Sequence, residues 1–144
     1  MRRTLPIALA ILALPVLALA FSSAEKDKSA ADDGRVFEMR TYVAFEGKTQ
    51  DMHKRFRDHT VTLFKKHGME SIGYWVPEDD KDGAGRTLVY LIAHKSREQA
   101  KKNWSAFAAD PEWKQVASAS EKDGKLVEKV ISVYLDPTDY SAIK

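Results

Sequence analysis

Between Arg35 and Phe45 the side chains alternate with the period of two that is typical of a β-strand rich in β-branched and aromatic residues. One face of this strand carries Phe37, Met39, Thr41, Val43 and Phe45. The opposite face carries Glu38, Arg40 and Tyr42. A covered strand face has to pair such groups or present them to a ligand, because an unpaired buried charge is costly.

The same two periods continue along the chain. Helical spacing predicts a helix over residues 49–67 and a second helical region over residues 97–123. Within the second region, Asp110 and Pro111 predict a new helix start, because aspartate caps a helix and proline suits its first position. Alternation and apolar runs predict three more strands, over residues 69–76, 87–93 and 125–135. The apolar face of the last strand is predicted to consist of Val127, Ile131, Val133 and Leu135.

The predicted order is β-α-β-β-α-β, which indicates an α+β protein with a ferredoxin-like fold. Right-handed crossovers place the first and third strands in the centre of the sheet. Two helical regions cover one sheet face and leave the other open, although it is also apolar. An open apolar face is typical of an interaction surface, and a second copy of the same sheet is its simplest cover. We therefore expect a homodimer.

The amino terminus has the features of a secretory signal peptide. Arg2 and Arg3 precede an apolar run over residues 5–21, and small residues follow it. We predict a signal peptide over residues 1–24, a flexible linker over 25–34 and one domain over 35–144. A retained membrane anchor and twin-arginine export are the alternatives. The prediction is a secreted or periplasmic protein without a stable membrane anchor after cleavage.

Charge and cysteine content narrow the classes of partner. The chain has 23 Lys and Arg residues and 21 Asp and Glu residues, so removal of Arg2 and Arg3 leaves a mature domain with no formal net charge. Such a domain offers no electrostatic basis for nucleic-acid binding or for a polybasic membrane surface. Because there are no cysteines, disulfides cannot stabilise the domain.

Four blocks of the sequence carry a family resemblance: Glu38-Met39-Arg40-Thr41-Tyr42; Lys66-His67-Gly68 with Ile72-Gly73-Tyr74-Trp75; Ala108-Ala109-Asp110-Pro111-Glu112-Trp113; and Leu135-Asp136-Pro137-Thr138-Asp139-Tyr140-Ser141. Together they resemble the NIPSNAP domain family from about Val36 to Ser141. The resemblance implies the dimeric α/β-barrel fold. It attaches vesicle traffic, mitochondrial quality control and small-molecule binding to some members, and it carries over no set of catalytic residues. The predicted export signal differs from the organelle-targeted animal members and argues against a mitochondrial or trafficking role.

Glu38, Arg40 and Tyr42 allow two interpretations. Alternate residues of a strand lie about 7 Å apart, so long side chains can meet. The first interpretation is a buried ion pair that fixes the strand register or the dimer. The second is a clamp for an anion or carbonyl group, with Arg40 as the donor and Tyr42 beside it.

The histidines do not form a metal-binding motif. His59 and His67 fall on the apolar stripe of the first predicted helix, where they are either core or rim residues or, for His59, a proton-transfer group. Their spacing, with no cysteine and no HExxH motif, predicts no metal site. His94 ends the third predicted strand, where it either faces the same side as Tyr90 or marks a solvated strand end, and we predict the solvated end. The acidic loop at residues 78–83 imitates half of a calcium loop, but Val89 stands where the bidentate glutamate is needed. No metal and no other cofactor is predicted.

Aromatic residues either fill the core or line a hydrophobic pocket. The ligand-binding candidates from the sequence are Glu38, Arg40, Tyr42, His59, Tyr74, Trp75, Tyr90 and Trp104.

Three functions remain open. The first is a non-catalytic exported homodimer that binds a small apolar or aromatic molecule or a protein partner. The second is a cofactor-independent enzyme resembling the monooxygenases or isomerases of the dimeric α/β-barrel class, in which Arg40 holds an oxyanion and His59 or Tyr42 moves a proton. The third is haem binding, with His59 or His67 as an axial ligand.

Overall fold

The computed structural model describes residues 34–144, so the predicted signal peptide and nearly all of the predicted linker lie outside the described residues. The strands are β1 (Val36–Ala44), β2 (Glu70–Trp75), β3 (Thr87–His94) and β4 (Val127–Leu135). The helices are α1 (Thr49–Arg55), α2 (Val61–Lys66), α3 (Arg97–Ala109) and α4 (Pro111–Ser120). A π-helical turn, Phe56–Thr60, joins α1 to α2, and a short 3-10 turn spans Asp80–Asp82.

The four strands form one antiparallel sheet in the order β2-β3-β1-β4. This order confirms the α+β class, the ferredoxin-like topology and the central position of the first and third strands. In the register, Arg40 lies opposite Tyr90 of β3 and Ser132 of β4. Side chains that occupy the same register position share a sheet face. Arg40, Tyr90 and Ser132 therefore lie on one face, although they belong to three strands.

The helices cover the sheet face that contains Glu38, Arg40 and Tyr42. Between the two layers lies the core cluster, which consists of Ala44, Met52, Phe56, Leu63, Phe64, Met69, Leu88, Tyr90, Ile92, Phe107 and Leu126. The side chains of this cluster come from the two central strands, from the first helical region, from α3 and from the residues that precede β2 and β4. Burial of their apolar surface is the main force that holds helices and sheet together.

Local signals at the helix ends explain where the second helical region begins and restarts. The Ser96 hydroxyl accepts a hydrogen bond from the Gln99 backbone N–H at 3.1 Å and caps α3. The Asp110 carboxylate accepts one from the Glu112 backbone N–H at 2.8 Å, and Pro111 occupies the first position of α4. The predicted restart at Asp110 and Pro111 is thereby confirmed.

A bulge in the pairing of β1 with β4 corrects one sequence prediction. Val43 pairs with Lys129, but the next residue of β1, Ala44, pairs with Val127, so Glu128 is an extra residue. An extra residue reverses the face on which the preceding side chain points. Val127 therefore packs against the core cluster, and it does not share the face of Ile131 as predicted.

The π-helical turn corrects a second prediction. In this turn the Thr60 hydroxyl donates a hydrogen bond to the Arg55 carbonyl oxygen, five residues earlier, at 3.2 Å. Because a π-turn contains more residues than an α-turn, it rotates the following side chains relative to the α-helical pattern. Phe56 and Thr60 stay buried, whereas His59 is exposed and does not lie on the apolar stripe.

No helix within residues 34–144 has the length and apolar character needed to cross a membrane.

Candidate functional site

Glu38 lies at the centre of a buried polar network between the sheet and α3. Its carboxylate is 1% exposed and accepts hydrogen bonds from four side chains. One oxygen accepts from Arg40 Nη1 at 2.9 Å and from the Ser132 hydroxyl at 2.6 Å. The other accepts from Trp104 Nε1 at 2.5 Å and from His94 Nε2 at 3.2 Å. A single carboxylate thus connects β1, β3, β4 and α3.

This environment keeps Glu38 ionised. Burial raises the pKa of its carboxyl, but hydrogen bonds from His94, Ser132 and Trp104, together with the positive charge of Arg40, outweigh burial and lower the pKa to about 2. Near neutral pH the carboxylate carries no proton to donate. Its lone pairs are also engaged by the four donors, so it is poorly suited to act as a general base.

Arg40 is held between Glu38 and aromatic rings. Its guanidinium carbon lies 4.2 Å from the centre of the Trp104 ring and 5.6 Å from that of Tyr42, which are cation–π distances. Burial lowers the pKa of Arg40, but the effect of the neighbouring Tyr42, Tyr90 and Glu38, which raise the pKa, is larger. The pKa of Arg40 is therefore above its usual value, and the side chain stays charged. The ion pair of Glu38 with Arg40 is present as the first interpretation of this strand requires.

The tyrosines of the candidate set lie in the aromatic part of the core. Tyr90 is fully buried, stacks on Tyr74 at 5.6 Å and meets Tyr42 edge to face at 5.3 Å. Burial raises the pKa of Tyr90 well above its usual value, so its phenol is neutral at ordinary pH. The structure thus brings six of the eight candidates together on the helix-covered side: Glu38, Arg40, Tyr42, Tyr74, Tyr90 and Trp104.

Three network residues were missed or misjudged from the sequence. His94 is only 2% exposed and binds Glu38, so its predicted position at a solvated strand end is wrong. Ser132 and Tyr134 were not singled out, although they pair with Arg40 and Glu38 across the β1–β4 ladder. The sequence did contain a pattern that could have identified them. Ser132 and Tyr134 alternate along β4 with Ile131 and Val133, so they lie on the opposite strand face.

The two other candidates lie apart from the network. His59 lines an outer groove of about 580 Å³ between the α1 end of the first helical region and α4. Trp75 ends β2 and pairs in register with Val89, which places it on the sheet face that the helices do not cover. Its side chain is 54% exposed.

His67 belongs to a separate cluster at the start of α4. Its Nε2 lies 2.6 Å from a carboxylate oxygen of Asp110, and Lys66 Nζ lies 2.8 Å from the same oxygen. The Lys66 hydrogen bond, followed by that of His67, holds the pKa of Asp110 well below its usual range. Since Asp110 also caps α4, this cluster ties α2 to α4.

The uncovered sheet face is the second candidate site. Register places its side chains in rows that cross the sheet from β2 to β4: Trp75, Val89, Thr41 and Ile131 in one row, and Gly73, Leu91, Met39 and Val133 in the next. Ile131 is 42% exposed and Val133 is 40% exposed. Beyond these rows, Phe37 is buried under the chain that follows β4, whose residues line a groove with it.

The ring of Trp75 approaches the backbone of Gly73, two residues earlier on the same strand face. A Cβ atom at Gly73 would stand 2.6 and 2.7 Å from carbons of the Trp75 ring, closer than real Cβ contacts. The absence of a side chain at Gly73 therefore allows the indole to rest against the strand. An exposed tryptophan supported in this way is typical of a contact surface.

Within residues 34–144, no group of three or more His, Asp or Glu side chains is arranged to hold a metal ion.

An antiparallel four-stranded sheet with helices on one side and an apolar face on the other defines the class as ferredoxin-like α+β. The NIPSNAP family model matches residues 37–142, and the chain belongs to this family. No curated protein sequence matches the chain significantly.

Solved structures with the same fold include several NIPSNAP proteins. An uncharacterised NIPSNAP-like domain protein from Burkholderia xenovorans is 17% identical, with a TM-score of 0.65, over 76% of this chain and 90% of that one. A NIPSNAP family protein of unknown function from Agrobacterium tumefaciens is 23% identical, with a TM-score of 0.66, over 79% of this chain and 97% of that one. A second one from the same organism is 22% identical, with a TM-score of 0.66, over 76% and 99%. The TM-scores show that these proteins share the fold of this chain, and at identities this low the similarity shows the fold alone.

Proposed function

We propose that this NIPSNAP domain is exported and works as a non-catalytic homodimer that binds a small apolar or aromatic molecule. The observation that carries the proposal is the apolar sheet face that the helices leave uncovered. Ile131 and Val133 are exposed on that face at its β4 edge, and Trp75 is exposed at its β2 edge. Apolar patches of this kind, rimmed by polar residues, mark contact surfaces in soluble proteins.

A second copy fits this face better than an unrelated partner because the face is apolar at both of its edges. A two-fold axis parallel to the strands would bring β2 of one copy over β4 of the other. Trp75 of each copy would then contact Ile131 or Val133 of the other copy. The contact would occur twice, once on each side of the axis, as in any isologous interface. The same arrangement would shield the exposed edges of β2 and β4, which otherwise favour uncontrolled pairing.

The geometry of Glu38 supports binding over catalysis. Its carboxylate is ionised and fully engaged, and the histidine nearest to it, His94, is buried in the same network. His59, one of the two predicted proton carriers, lies in the outer groove with Asp51 and Asp58. The enzyme alternative therefore gains no positioned acid or base from these residues.

The proposal of export rests on the amino-terminal sequence pattern. The proposal of an apolar or aromatic ligand rests on the aromatic and apolar side chains on both sides of the sheet.

Native mass spectrometry of the protein purified from its own host tests the proposal. We expect a dimer of chains that begin near residue 25, with a small-molecule mass that is lost on denaturation. Monomeric chains without an adduct would contradict the proposal, and chains that keep residues 1–24 would contradict export by a cleaved signal.

A further inference from the structure

An apolar groove lies at the end of the uncovered sheet face, between the sheet and the carboxyl-terminal tail, which we define as residues 136–144. Its volume is about 430 Å³. Phe37, Leu91 and Leu135 form its floor from three different strands. Pro137 and Ile143 of the tail form its wall. Binding sites for small molecules commonly have volumes of about 300–1,000 Å³, so the groove is large enough for a ligand of one or two rings.

The tail is held in place by polar contacts at its far end. Arg35 Nη1 donates to the Lys144 carbonyl oxygen at 3.1 Å, and Arg35 also pairs with Glu70 at 2.7 Å. The Ser141 backbone N–H donates to the Thr138 carbonyl oxygen at 3.0 Å and closes a turn. These contacts hold the wall of the groove over the sheet without filling the space behind it.

The lining specifies the chemistry of an occupant. Apolar side chains dominate, the hydroxyl-bearing residues Thr138 and Ser141 lie on the tail side, and Asp136 is the charged residue of the lining. Moving a charge from water against such apolar side chains is costly unless the charge is paired. An uncharged apolar molecule with a single hydroxyl, carbonyl or arylamine group matches this set of neighbours.

We propose that this groove is the ligand site, that it takes an uncharged apolar molecule of this class, and that a second copy packed on the sheet face closes it. The proposal rests on the homodimer proposed above, since Leu91 and Leu135 belong to the face that the second copy would cover. It moves the ligand from the Arg40 side of the sheet, where the sequence predicted it, to the opposite side.

Fluorescence titration with N-phenyl-1-naphthylamine, an uncharged apolar probe, tests the site on the protein as the expression host processes it. Leu91→Trp fills the groove from its floor, whereas Val116→Trp places the same new side chain in the outer groove between α1 and α4. We expect the probe to bind the wild type and to bind Leu91→Trp at least about tenfold more weakly, a loss of about 1.4 kcal/mol. Val116→Trp should bind within about twofold of the wild type.

A second variant guards against a change of fold or of assembly in Leu91→Trp. Ile143→Asp places a charge in the wall of the groove, on the exposed tail, and changes no residue of the sheet. It should weaken the probe to a similar extent. If the probe does not bind the wild type, or binds both groove variants as it binds the wild type, the ligand site is wrong.

Light scattering on the same samples separates this failure from failure of the homodimer. If the protein is a dimer and neither Leu91→Trp nor Ile143→Asp changes the affinity for the probe, the groove is not the ligand site, but the homodimer is supported. A monomer whose probe binding is lost in both variants supports the groove, and overturns both the homodimer and the closure of the groove by a second copy.

Discussion

Glu38 shows at the scale of one residue how a buried charge is tolerated. Four donors from four elements converge on its carboxylate, and they more than offset the burial that would otherwise raise its pKa. The alternation around Arg40 and Tyr42 placed Glu38 on the same strand face as Arg40, and it left open whether the two form a structural pair or serve a ligand. It could not reveal His94 or Trp104, because the His94 contact depends on the register of β3 against β1 and the Trp104 contact depends on how α3 docks on the sheet.

Replacing Arg40 tests whether the pair is structural. Arg40→Met leaves Glu38 without its cationic partner and should destabilise the domain by roughly 3 kcal/mol. The double variant Glu38→Gln, Arg40→Met removes both charges and should recover part of that loss. Urea unfolding of the ligand-free proteins measures both values. If Arg40→Met unfolds like the wild type, the pair does not stabilise the fold and Arg40 is free to serve a ligand.

The pKa of Glu38 predicts a loss of stability in acid. Its folded pKa of about 2 lies below the usual value of 4.5, so the unfolded chain takes up the proton first. The contribution of Glu38 is complete above about pH 4.5, amounts to roughly 3 kcal/mol, and disappears as the pH falls towards 2. Urea unfolding between pH 7 and pH 3 should show this decline.

Two glutamine variants isolate the residue responsible for the decline. Glu38→Gln should be less stable at pH 7 and should depend less on pH between 4.5 and 3 than the wild type. Glu98→Gln is the matched control, because the Glu98 side chain is 79% exposed. It should follow the wild type, and a flattened profile in this control would show that the decline does not come from Glu38.

At the scale of whole elements, order and caps were readable from the sequence while local irregularities were not. Asp110 and Pro111 act through neighbouring backbone groups, so their effect on α4 is visible in the sequence. The π-helical turn that exposes His59 and the bulge that turns Val127 inward each insert one residue into a regular period. Both irregularities are tolerated because packing between the helices and the sheet stabilises them. This packing depends on residues that are distant in the sequence, so a local pattern does not reveal either irregularity.

Gly73 tests whether the sheet face depends on the placement of Trp75. In Gly73→Ala the new Cβ displaces the exposed indole, which can move without disturbing the core, so the melting temperature should change little. The dissociation constant of the dimer should rise about tenfold or more, as it should for Trp75→Ala, because exposed tryptophans often dominate interface energies. Sedimentation equilibrium gives the constant. Unchanged association in both variants would remove Trp75 from the interface.

At the scale of the molecule, the sheet has one face covered by its own helices and one face that no helix covers within residues 34–144, with the carboxyl-terminal tail over its Phe37 end. The family resemblance and the apolar alternation both pointed to a second copy, and the fold that carries the prediction is confirmed by the strand order. The assembly itself stays a prediction. The position of the carboxyl-terminal tail was not readable from the sequence, because it depends on the contact of Arg35 with Lys144, 109 residues apart.

The most direct test of the account is the molar mass in solution of the protein lacking residues 1–24, measured by light scattering at micromolar concentration. We expect twice the mass of the monomer for the wild type and for Val61→Glu, and the mass of the monomer for Ile131→Glu. Val61 and Ile131 are exposed to a similar extent, 36% and 42%, but Val61 lies on α2 and Ile131 on the uncovered sheet face. A monomeric wild type, or a dimer that Ile131→Glu leaves intact, would contradict the account.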